Sequence, residues 1–149
     1  MRTVPVRLLV IVSLFVGACA GESASPTPAG SSAVLQELTR AGFRIRGAVA
    51  GAPGCDDESL AGNATRLRIA FTDDQPDKDL YLFIFRVRDY AGEAAKVDAC
   101  QAAVEAAMGS SIDRVDVAPY RAFGGQLPSA WRDALARALS SASRGGASP

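Results

Sequence analysis

Of the residue types that carry chemistry, this chain has 14 arginines, scattered acids, three cysteines and no histidine. Without imidazole there is no serine–histidine or cysteine–histidine nucleophile, no histidine zinc ligand and no imidazole acid–base work near neutral pH. The basic residues are more suggestive. Arg44/Arg46, Arg66/Arg68 and Arg86/Arg88 each flank a single residue. In an extended strand, that spacing puts both guanidinium groups on one face. Neighbouring strands in suitable register would then build a surface able to grip phosphate or carboxylate bidentately. The plainer alternative is a solvated strand face whose arginines pair with Asp113, Asp116 or Glu93, contacts that contribute little.

Two acidic stretches and one aromatic stretch complete the candidates. DDQPDKD offers Asp73, Asp74, Asp77 and Asp79, a set of oxygens that could suit calcium. It lacks the loop glycine, and Ile84 stands where a bidentate glutamate should be, so a polar hairpin turn is expected. In CDDES, Ser59 could be activated only by a carboxylate or by Lys78 or Lys96, the only lysines, and it is rejected as a nucleophile. PYRAFGG, residues 119–125, reads as a loop whose Tyr120, Arg121 and Phe123 either close over a ligand or plug the end of a sheet. The candidate binding surface is therefore Arg44, Arg46, Arg66, Arg68, Arg86, Arg88, Tyr120, Arg121 and Phe123. No catalytic, cofactor-binding or metal set emerges.

The elements that must position these residues follow from periodicity. SAVLQELTRAGF, with Ser31 or Ser32 as cap, Val34, Leu35 and Leu38 on one side and Gly42 as stop, predicts a short helix. FRIRGAVA alternates, with Phe43, Ile45 and Val49 inward against Arg44 and Arg46; TRLRIAFT does the same with Leu67, Ile69 and Phe71. LYLFIFRVR is apolar on both sides, as a central strand is, and the connector before it predicts an antiparallel hairpin with its predecessor. GEAAKVDACQAAVEAAMG predicts a helix with Val97, Cys100, Val104, Ala107 and Met108 on one stripe and Gly109 at its end. IDRVDVAPY predicts an edge strand closed by Pro119. LPSAWRDALARAL predicts a helix with Pro128 in the first turn and Trp131, Leu135, Ala138 and Leu139 on one face. The order α-β-β-β-α-β-α describes an α+β protein: a two-layer sandwich of a mostly antiparallel four-stranded sheet with about three helices. One domain over residues 33–143 is expected, with the tail 144–149 disordered.

The chain opens with Arg2 and Arg7, no acid, and LLVIVSLFVGA before Cys19. A charged start, an apolar run and small residues are the layout of a secretory signal. The run falls short of the ~20 residues that span a bilayer, and Pro5 and Ser13 interrupt it. Val16-Gly17-Ala18-Cys19 resembles the lipobox of bacterial lipoproteins, a likeness confined to about the first 21 residues, with Val16 in place of the commoner leucine. It implies removal of residues 1–18 as a signal peptide and acylation of Cys19 with diacylglycerol and, usually, a further (palmitate-type) chain. The protein would then be moored outside the cytoplasm, on the cell membrane or an outer membrane. One chain binds reversibly and two or three hold firmly, at about 0.8 kcal/mol per buried methylene. Residues 19–32 would be the lipidated cysteine and a small, polar, proline-bearing linker.

Cys55 and Cys100 then form an even pair in an oxidising compartment, which predicts a disulfide. Loss of Arg2 and Arg7 with the leader leaves 14 basic against 16 acidic residues, about −2. Nucleic acid is not a suitable partner for that balance. The functional expectation is a non-catalytic, lipid-tethered module of the cell envelope that needs no cofactor and whose partner is an envelope protein or anionic ligand. Two alternatives stand beside it. One is a hydrolase or carbohydrate-processing enzyme using paired acids across a cleft, with Asp57 or Glu58 as a member. The other is a protease-inhibitor-like domain with an exposed rigid loop near Cys55.

Overall fold

The computed structural model of the chain describes residues 30–85 and 90–145. Three α-helices, one 3-10 helix and five strands follow in the order α1 (Ser31–Arg40), β1 (Arg44–Ala50), the 3-10 helix (Glu58–Asn63), β2 (Ala64–Ala70), β3 (Lys78–Ile84), α2 (Tyr90–Met108), β4 (Ile112–Val117), β5 (Tyr120–Gly125) and α3 (Ser129–Gly145). The strands form one antiparallel sheet in the spatial order β1-β2-β3-β5-β4. This is the α+β sandwich expected. The sheet has five strands rather than four, because YRAFGG is β5 and not a loop. A two-residue turn, Ala118 and Pro119, reverses β4 into β5, with Val117 opposite Tyr120.

α1 and α3 cover one face. Val34 and Leu38 from α1 and Trp131, Leu135, Ala138 and Leu139 from α3 are buried against Phe43, Leu67, Ile69, Leu80, Leu82 and Tyr120. Phe71 stacks on Trp131 at one end of this layer and Phe43 meets both rings edge-on, with ring centroids 4.8–6.0 Å apart. At roughly 1.5–3 kcal/mol per large apolar side chain buried, this layer is the main source of stability. The helix ends differ in detail from expectation. Gly30, not a serine, is the N-cap of α1, so Ser31 and Ser32 lie inside the helix rather than in a linker. α3 runs past residue 143 to Gly145, because Ala142 is still buried.

The other face is only half covered. α2 and the 3-10 helix bring Leu60, Val97, Cys100 and Val104 over Phe83, Phe85 and Phe123. β3, third of five, is thus apolar on both faces as a central strand should be. Of the predicted α2 stripe, Ala107 and Met108 are exposed; Gly109, at φ +63°, ends the helix with its N–H on the Glu105 carbonyl. Over β1 and β2 no element among the described residues covers that face.

Candidate functional site

The open half of the sheet is where the arginines gather. Directly opposed residues of an antiparallel pair share a face. Arg66 stands between Val49 and Tyr81, and Arg68 between Gly47 and Asp79. Arg44 and Arg46 lie on the same side, opposite Ile45, which packs with the α1/α3 layer. Between Ile45 and Gly47 the register shifts, leaving Arg46 as the extra residue of a β-bulge. A bulge inverts the alternation beyond it. Val49 was expected inward with Phe43 and Ile45; it sits instead on the arginine face and is 48% exposed. Gly47, Val49, Arg66, Arg68 and Asp79 line a shallow, open depression of about 250 Å³. That is smaller than the sites that enclose small organic ligands, and it surrounds nothing.

Electrostatics divide this face in two. Asp73 takes an ion pair from Arg44 at 2.6 Å and another from Arg46. Asp77 sits between Arg46 and Arg68 at 3.9 and 4.0 Å. The acidic connector therefore supplies counter-charge to the arginines; among the described residues no group of three or more histidines, cysteines or acids suited to a metal occurs. The partners are Asp73 and Asp77, where the sequence suggested Asp113, Asp116 or Glu93. Toward the other end, no carboxylate among the described residues pairs with Arg66. Arg86 and Arg88 lie outside the described residues.

Tyr120, Arg121 and Phe123 do not form a ligand-closing loop. Within β5, between β3 and β4, Tyr120 and Phe123 are fully buried and Arg121 is 6% exposed. Arg121 anchors a closed ring of four charges. It bonds Asp116 at 2.5 Å and Asp98 at 2.8 Å, and Arg114 meets the same two carboxylates at 2.8 Å each. A further bond to the Ala94 carbonyl and the ring of Phe85, 5.6 Å from the guanidinium carbon, complete its surroundings. Since Ala94 and Asp98 belong to α2, this ring fastens the helix to the sheet.

The second fastening is the disulfide. Cys55 and Cys100 are bridged, with Cα atoms 5.4 Å apart, joining the loop before the 3-10 helix to the middle of α2. The loop lies flat on the sheet, with Pro53 buried. Gly54 has φ +88°, and a Cβ there would overlap the Tyr81 ring, so only glycine fits. Asp57 caps the 3-10 helix, accepting from the Ser59 N–H at 3.0 Å and the Ser59 hydroxyl at 2.6 Å; these bonds hold its pKa below the ordinary aspartate value. Lys96 donates to the same hydroxyl at 3.1 Å. This Asp57–Ser59–Lys96 cluster is exposed and lies outside the depression, whose one carboxylate is Asp79. It joins α2 to the cap, and gives neither a cleft nor the opposed acids that glycoside chemistry requires.

Comparison with protein-family models, curated proteins and solved structures gives no match. The fold and the arginine face have to carry the functional reading by themselves.

Proposed function

We propose that this protein is a lipid-anchored, extracytoplasmic binding module without catalytic activity, and that its uncovered sheet face engages an acidic partner in the bacterial envelope. The observation that carries the reading is the uncovered half of the sheet, where Arg44, Arg46, Arg66 and Arg68 share one face and only part of their charge is met by Asp73 and Asp77. The sulfur bridge supports an oxidising compartment. With Cys55 and Cys100 joined, Cys19 is the one cysteine left for acylation. The signal-like leader and the lipobox-like Val16–Cys19 supply the anchor, and a linker of the stated composition supplies reach of about 20 Å.

Two measurements test this. Intact mass of protein extracted from membranes should show loss of residues 1–18 and a diacylglycerol-plus-acyl adduct; a soluble product with the leader intact ends the anchoring proposal. Capture of envelope proteins by mild crosslinking should fall several-fold in an Arg66→Ala/Arg68→Ala variant. Unchanged capture removes this face from consideration.

A further inference from the structure

We infer that the partner binds as an extended acidic segment added to the sheet along the free edge of β1. This rests on the arginine-face reading above and specifies how that face is used. Among the described residues β1 is the end strand of the sheet. Gly51 donates its N–H to the Ala64 carbonyl at 2.9 Å. By the alternation of an antiparallel ladder, Gly47 and Val49 then also turn their backbone groups toward β2, and Ala48 and Ala50 turn theirs outward. Both alanines are exposed. Beyond the bulge, Gly47-Ala48-Val49-Ala50 carries no charge and no bulky polar group to fend off another strand. The opposite edge, β4, is guarded: Asp113, Arg114 and Asp116 are all held in ion pairs there. Proteins usually blunt free edges with charge, and only β4 has that along its length.

The glycine in β1 gives the edge its chemical preference. Arg68 belongs to β2, yet its guanidinium leans across β1: a Cβ on Gly47 would stand 3.9 Å from Nη2 and 4.0 Å from Nε. With no side chain at position 47, the guanidinium has room to stand over β1, with Asp77 at 4.0 Å from its Nε as its carboxylate neighbour. An added strand lies about 4.8 Å further out, with alternate side chains on this face. Acids at those positions meet Arg68 opposite Gly47 and approach Arg66 beside Val49. A second copy of this chain is the wrong occupant. Twofold pairing of β1 with itself continues the same face and brings two sets of four arginines together, a like-charge arrangement that opposes pairing. Backbone pairing for affinity, with alternate side chains for specificity, is the general logic of strand addition.

The test uses the purified full chain at low salt with four synthetic peptides: Glu-Val-Glu-Val-Glu-Val, its Lys-Val counterpart, and two forms of the Glu-Val peptide N-methylated at alternate residues, one in each register. The Glu-Val peptide should bind, slow amide exchange at Ala48 and Ala50, and lose up to about fivefold affinity in Arg68→Ala, an exposed charged contact being worth up to about 1 kcal/mol. N-methylation in one register should cost about tenfold or more, as loss of backbone hydrogen bonds predicts. Ala48→Pro, which removes an outward N–H, should do the same; the methylated peptide makes the test independent of that variant's folding. Equal binding of both methylated peptides and the parent, still dependent on Arg66 and Arg68, overturns strand addition and leaves the arginine face standing. Equal binding of the Lys-Val peptide overturns the charge preference. No peptide binding, with capture by phosphatidylglycerol vesicles instead, overturns the inference in favour of a lipid surface. Binding to neither overturns both the inference and the functional reading beneath it.

Discussion

Replacing both Cys55 and Cys100 by alanine should change the unfolded chain more than the folded one. The bridge closes a loop with a sequence separation of 45. For that length the chain-entropy relation gives about 4 kcal/mol of stabilisation. A domain of this size has a total of about 5–15 kcal/mol, so the bridge accounts for a large fraction. At roughly 4 °C per kcal/mol, the thermal midpoint should drop by about 15 °C. Cys100 is also buried, so some loss comes from packing, and urea unfolding separates the two contributions. A lost cross-link lets the unfolded ensemble expand, which raises the slope of free energy against denaturant; a lost packing contact lowers the midpoint at constant slope. The structure also says where the effect starts. α2 is held to the body by Val97, Cys100, Val104 and the Asp98 ion pairs, so its amides should exchange fastest once the bridge is gone. An unchanged midpoint and slope in the double variant, with α2 exchange as in wild type, would refute both the magnitude and the assignment of the bridge as the clasp of α2.

Three further outcomes follow from the charges. Arg121→Ala should cost about 3 kcal/mol in chemical denaturation, at the low end for breaking a buried pair because Asp98 and Asp116 keep solvent contact; Arg44→Ala, at an exposed pair, should cost under about 1 kcal/mol. Asp57 ionises below the ordinary aspartate value because of its Ser59 bonds, so its contribution to stability is present above that ordinary value and is lost as pH falls through the lower folded one. Ser59→Ala removes the hydroxyl bond and should raise the Asp57 midpoint in an NMR titration; an unmoved midpoint would show that the hydroxyl bond is not the cause.

The elements with a clean period were legible. β2 reads outward at Arg66 and Arg68 and inward at Leu67 and Ile69, and the α3 face of Trp131, Leu135, Ala138 and Leu139 is buried as written. β5 was not legible, for a physical reason. It lies between two strands with both faces covered, so its sequence has no alternation, and its glycines and arginine imitate a loop. Arg121 is tolerated inside only because two aspartates and a carbonyl, distant in sequence, converge on it. β1 misled differently: its pattern is regular, but a bulge at Arg46 reverses the second half. The gathering of arginines on one face could be foreseen from pairs spaced by two. Which acids answer them, and that Gly47 opens a path for Arg68, depended on register, and register is a property of paired strands rather than of either strand alone.

Both described ends of the chain, Gly30 at the start of α1 and Gly145 at the close of α3, belong to the helical layer, with the sheet standing between them and the basic surface. A fluorescent reporter attached at residue 30 or residue 145 would therefore sit on the back of the molecule, on the far side of the sheet from the basic surface.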